Sequence, residues 1–125
     1  MADECWRTRL PDRRQAVTHD VAWGERQYTV TVGFDAAGAP REVFADGAKE
    51  GSAMAAILAD ACVVISLALQ AGVPPDALGR SLGEDADPAT GGARPASVVG
   101  MIVSMLETDA ALARIRMGDA WHSRD

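Results

Sequence analysis

From Ser52 to Gln70 the chain reads SAMAAILADACVVISLALQ, without glycine or proline and with Asp60 as its single charge. A helix of that length spans about 28 Å. Ser52, preceded by Gly51, is a good N-cap, Gly72 can end the helix as a left-handed residue, and Pro74-Pro75 blocks continuation. Met54, Ile57, Leu58, Ala61, Ile65, Ala68 and Leu69 follow a three-four spacing and predict a core face. The opposite side is still mostly Ala, Cys, Val and Leu, broken by Asp60, Ser66 and Gln70. A helix apolar nearly all round is buried on more than one side. In a chain this short, other helices must wrap it or a second copy must, so a homo-oligomer through residues 52–70 is expected. The run falls short of the ~20 residues of a membrane span. Asp60 near its middle would cost roughly 2.5–3.5 kcal/mol in a bilayer, so no membrane partner is expected.

The segments around this helix supply its cover. Residues 15–23 mix Val, Thr and Trp as a strand does. Gln27 to Phe34 alternates Tyr28, Val30 and Val32 against Thr29 and Thr31, and residues 40–45 form a third strand. Short turns at Gly24-Glu25-Arg26 and Asp35 to Gly38 make the set a meander. After the long helix, Pro75 starts a second one. Glu84 to Arg94 reads as a loop. A last helix begins near Ser97, with Val98, Met101, Ile102, Met105, Leu106 and Leu112 on its buried face. The expected class is α+β: a three-stranded antiparallel β-meander followed by two or three helices packed on one face. One domain spans residues 15–117, between an arginine-rich arm at 1–14 and a frayed tail at 118–125.

Composition narrows function by exclusion. The net charge of −6 disfavours nucleic acid and anionic membrane as partners. Cys5 and Cys62 have no CxxC partner, His19 and His122 show no metal spacing, and no serine sits in a nucleophile elbow. Neither metal nor cofactor is expected. The N-terminus lacks the apolar core of a signal peptide, and two lone thiols suit a reducing cytoplasm.

One segment carries a candidate site. Asp46-Gly47-Ala48-Lys49-Glu50-Gly51-Ser52 leads from a strand into a helix N-terminus, where free N–H groups and the dipole favour an anion such as a phosphate or nucleotide. Gly47 and Gly51 permit close approach, Ser52 offers a hydroxyl, and Lys49 is the only lysine in the chain. No GxxxxGK[ST] pattern is present. Asp60, or Glu50 in a subunit-interface cleft, is the candidate acid–base group. Arg13, Arg14 and Trp23 are candidate contacts for a protein partner.

Several of these stretches are similar to a known family. Leu10-Pro11-Asp12-Arg13-Arg14 resembles an LPxRR entry segment, and Tyr28 to Val32 with Glu42-Val43-Phe44 matches its second and third strands. Lys49-Glu50-Gly51-Ser52 resembles a KxGS turn, and Ile65 to Gln70 followed by Gly72-Val73-Pro74 resembles the signature ISLALQxGVP. The family is the C-terminal TSCPD-type domain of adenosylcobalamin-dependent ribonucleotide reductases and its small stand-alone relatives. The naming cysteine motif has no counterpart here, since Arg94-Pro95-Ala96-Ser97 stands in its region. The resemblance places reductase chemistry on a separate barrel with a radical cysteine, a cobalamin site and a redox cysteine pair, none of which this sequence contains. It therefore implies a non-catalytic module that binds a partner protein or an anionic ligand at Gly47–Ser52. The alternatives are a small enzyme of nucleotide metabolism, and a structural or regulatory adaptor without a small ligand.

Overall fold

The computed structural model describes residues 15–48 and 51–122, the last six as backbone only. Strands β1 (Ala16–Trp23), β2 (Arg26–Phe34) and β3 (Pro40–Asp46) form an antiparallel sheet in the order β1-β2-β3. Helices α1 (Ala53–Gln70) and α2 (Pro75–Ser81), a hairpin of β4 (Glu84–Ala86) and β5 (Ala93–Pro95), and helix α3 (Val98–His122) follow. The α+β meander is thus as read, with three helices.

Alternation on β2 turns Tyr28, Val30, Val32 and Phe34 to one face. Val43 joins them from β3, and Leu58, Ile65 and Leu69 of α1 and Val98, Ile102, Val103 and Leu106 of α3 complete the core. At roughly 1.5–3 kcal/mol for each large apolar side chain buried, this cluster is the main source of stability. The second face of the sheet stays open: Thr18, Thr29 and Phe44 are exposed there.

The ends of α1 follow local chemistry. The hydroxyl of Ser52 accepts the Ala55 N–H at 3.1 Å. At the other end Gly72, at φ 97°, lets its N–H reach the Leu69 carbonyl and that of Val73 reach Ala68. This is the paired closure of a Schellman ending. Arg41 then donates from β3 to the Leu69 carbonyl at 2.7 Å, placing positive charge where the helix has none of its own.

Four features differ from the sequence reading. First, α1 is not sheltered on several flanks, since only 28% of it is buried. Met54 and Ile57, expected in the core, are 50% and 61% exposed, while Cys62 is inside. Second, residues 84–94 are not simply a loop. Asp87 and Gly92 close a turn between two three-residue strands too short to show alternation. Third, α3 continues to His122, beyond Ile115, the last residue of the run read as helical. Fourth, Leu112 on α3 is exposed, and Val103 takes a core place instead.

By length and composition alone α1 could cross a membrane. Its polar stripe is bonded to the sheet instead, and Asp60 faces outward.

Candidate functional site

The stripe Cys62, Ser66 and Gln70 lies along the free edge of β3. The hydroxyl of Ser66 accepts the Val43 N–H at 3.0 Å and lies 3.3 Å from the Val43 carbonyl. Gln70 donates to the Arg41 carbonyl at 3.1 Å, and the Ala45 N–H points at the Cys62 sulfur. Four residues of helix rise about 6 Å and two residues of strand about 6.7 Å, so the two ladders stay in step over three rungs. An unpaired strand edge invites pairing with another chain. Here a helix closes that edge with side chains. The signal was present in the sequence as three non-aliphatic residues at four-residue spacing in an apolar helix.

Burial pushes the Cys62 thiol up from its ordinary value, against the opposing contact from the Ala45 N–H. At the C-terminal end of the ladder, Asp35 pairs with Arg41 at 2.8 Å. Burial alone would raise the Asp35 carboxyl, but the Arg41 guanidinium and the N–H groups of Ala39 and Ala37 outweigh it and hold it below the usual carboxylate range.

The strand-to-helix turn is partly committed to its own chain. Gly47 donates its N–H to the Asp46 carboxylate at 2.8 Å and accepts from Arg26 at 3.3 Å. Gly47 has φ 131° and packs so close to the Gln27 carbonyl that a side chain there would overlap it. Gly51, at φ 76°, has open space beside it. Lys49 and Glu50 lie outside the described residues, as do Arg13 and Arg14.

Asp60 is exposed on the outward side of α1, with no ion-pair partner among the described residues. Trp23 is half-buried at the end of β1, packed against the core, with the Arg94 guanidinium 6.0 Å from its ring centre. His19 is half-buried on β1 and lies 3.1 Å from the Asp109 carboxylate of α3. Ninety residues separate these two, beyond any local pattern. No cluster of three metal-ligating side chains occurs among the described residues.

What the fold leaves open is apolar. Val64 is 65% exposed and joins Met54 and Ile57 on one flank of α1. On the other flank, Val63 faces Phe44 of β3 across an open groove of about 400 Å³.

Comparison of the sequence with known proteins finds one domain family. The TSCPD domain family matches residues 6–110. A vitamin B12-dependent ribonucleotide reductase of Rhodopirellula baltica is 40% identical over 68 residues, covering 54% of this chain and 6% of that one. The corresponding protein of Agrobacterium fabrum is 38% identical over 68 residues, again 54% of this chain and 5% of the relative. The chain thus spans about one-twentieth of the length of these relatives. No solved structure matches it. With most of its length inside the match, the chain belongs to the TSCPD domain family.

Proposed function

We propose that this chain is a non-catalytic TSCPD module that works by association, joining a second copy of itself through the outward flank of α1. The observation that carries the reading is the exposure of Met54, Ile57 and Val64 along a helix otherwise anchored to β3. Covering such side chains contributes roughly 1.5–3 kcal/mol each, and exposed apolar patches on soluble chains mark interaction sites. In the reductase relatives the matched segment belongs to a far longer chain. A module of this kind would serve a catalytic body supplied by other sequence rather than perform reduction itself.

Light scattering at micromolar concentration tests the association. The expected result is a dimer or larger species that becomes monomeric in Val64→Glu. A monomeric parent protein at that concentration overturns the reading.

A second reading places a phosphate or nucleotide at Gly47–Ser52. It is favoured by the absence of acidic residues in the first turn of α1 and by the space beside Gly51. A rise in melting temperature with phosphate or ADP that disappears in Lys49→Ala supports it. No rise with either rejects it.

A further inference from the structure

The two edges of the sheet end differently. On β3, the outward backbone groups of Arg41, Val43 and Ala45 meet Gln70, Ser66 and Cys62 of α1. On β1, the Phe34 N–H donates to the Gln15 carbonyl at 2.9 Å, which makes those two a hydrogen-bonded pair. Such pairs alternate along an antiparallel ladder, so Val17, His19, Val21 and Trp23 turn their N–H and C=O groups towards β2. Ala16, Thr18, Asp20 and Ala22 turn theirs to the free edge, where they bond to no backbone group among the described residues. All four residues are exposed.

Native edges are blunted by proline, lysine or a bulge. β1 reads AVTHDVAW, with neither proline nor lysine, and its register with β2 is unbroken. What it carries instead is a palindrome. The edge-facing rungs run Ala16, Thr18, Asp20, Ala22, and the rungs between them run Val17, His19, Val21. Turned end for end about His19, alanine meets alanine, valine meets valine, and the Thr18 hydroxyl meets the Asp20 carboxylate. Thr18 lies 3.3 Å from the Thr31 hydroxyl, which can donate to it and leave the Thr18 proton for the carboxylate. A shift of two residues loses this match. In one direction Asp20 faces its own copy, and like charges directly opposite are unfavourable. In the other direction Ala22 has no rung of β1 to face.

We infer that β1 pairs with β1 of a second copy, antiparallel and centred on His19, with Thr18 opposite the partner's Asp20. The pairing satisfies every outward backbone group of β1 and joins the two sheets into one. It goes beyond the proposed association through α1, which packs at the opposite edge of the sheet. One strand edge buries far less than the roughly 1,200 Å² of a lasting interface. The contact therefore forms above the micromolar range, where Val64→Glu stays monomeric.

Cysteine cross-linking reads the register. Cys62 is buried, Cys5→Ser removes the other thiol, and Val64→Glu removes the α1 contact, so the two associations can fail separately. In that full-length background, Thr18→Cys and Asp20→Cys chains are oxidised at near-millimolar concentration, each alone and mixed. Residues directly opposite lie about 5.5 Å apart between Cα atoms, within reach of a disulfide, whereas like residues lie on a diagonal of roughly 7–8 Å, beyond it. The expected result is a mixed disulfide roughly tenfold in excess over the product of either chain alone. Ala22→Pro in both chains removes an outward N–H without touching the β1–β2 bonds, and should lower that yield severalfold. In the unsubstituted protein, the amides of Thr18 and Asp20 should exchange more slowly as concentration rises. Equal yields from single and mixed chains, a yield indifferent to Ala22→Pro, or exchange independent of concentration overturns the proposal. Absence of the mixed product also overturns it and leaves the edge to a strand of another protein.

Discussion

Ser66 and Val43 meet as a side chain and a strand edge: one hydroxyl stands against both the N–H and the carbonyl of the same residue, at 3.0 and 3.3 Å. The hydroxyl also donates to the Cys62 carbonyl at 2.7 Å, the usual back-bond of a helical serine. This contact sets the rotation of α1, because Cys62 and Gln70 must then face Ala45 and Arg41.

Ser66→Ala should therefore destabilise the fold by about 1–3 kcal/mol, since it strands the polar groups of a buried residue. Urea unfolding monitored by circular dichroism measures this. A change near zero would mean that water replaces the hydroxyl and that apolar packing alone seats the helix.

Cys62 should resist thiol reagents while the protein is folded. Its sulfur is buried and its pKa is raised, so the reactive thiolate is scarce at neutral pH. Mass spectrometry after brief alkylation should show modification at Cys62 only once denaturant unfolds the chain. Rapid modification without denaturant would show that α1 lifts readily from β3.

The Asp35–Arg41 pair predicts a pH dependence. The Asp35 carboxyl is held below its ordinary value, so its contribution is present above about pH 4, where the unfolded carboxyl ionises, and is lost as pH falls through the lower folded value. Asp35→Asn should lower the urea midpoint at pH 7, and the gap to the parent protein should close towards pH 3. A gap that persists at pH 3 would trace the effect to the turn bonds at Ala37 and Ala39 rather than to charge.

Much of the fold was legible because the deciding chemistry is local. Val30 and Val32 alternate with threonines, Asp35 binds the N–H groups of its own turn, and Pro75 occupies the first turn of α2. The site was less legible. Gly47 and Gly51 take positive φ and Ser52 caps α1, as their types demand. Whether the turn's N–H groups stay available depends on Asp46, which bonds Gly47 in the folded chain. Asp60 drew attention as a carboxylate in an apolar run, but rotation of the helix turns it outward.

The sequence by itself determined the order of the meander strands and the helices, the ends of α1 and the membership of the core strands, because caps, positive-φ glycines and side-chain alternation act within a few residues. Only the tertiary structure decided which flank of α1 is wet, because a helix apolar all round carries no preferred direction until Cys62, Ser66 and Gln70 find the edge of β3. The His19–Asp109 pair is of the same kind: ninety residues separate its partners, and folding, not adjacency in the chain, brings them together.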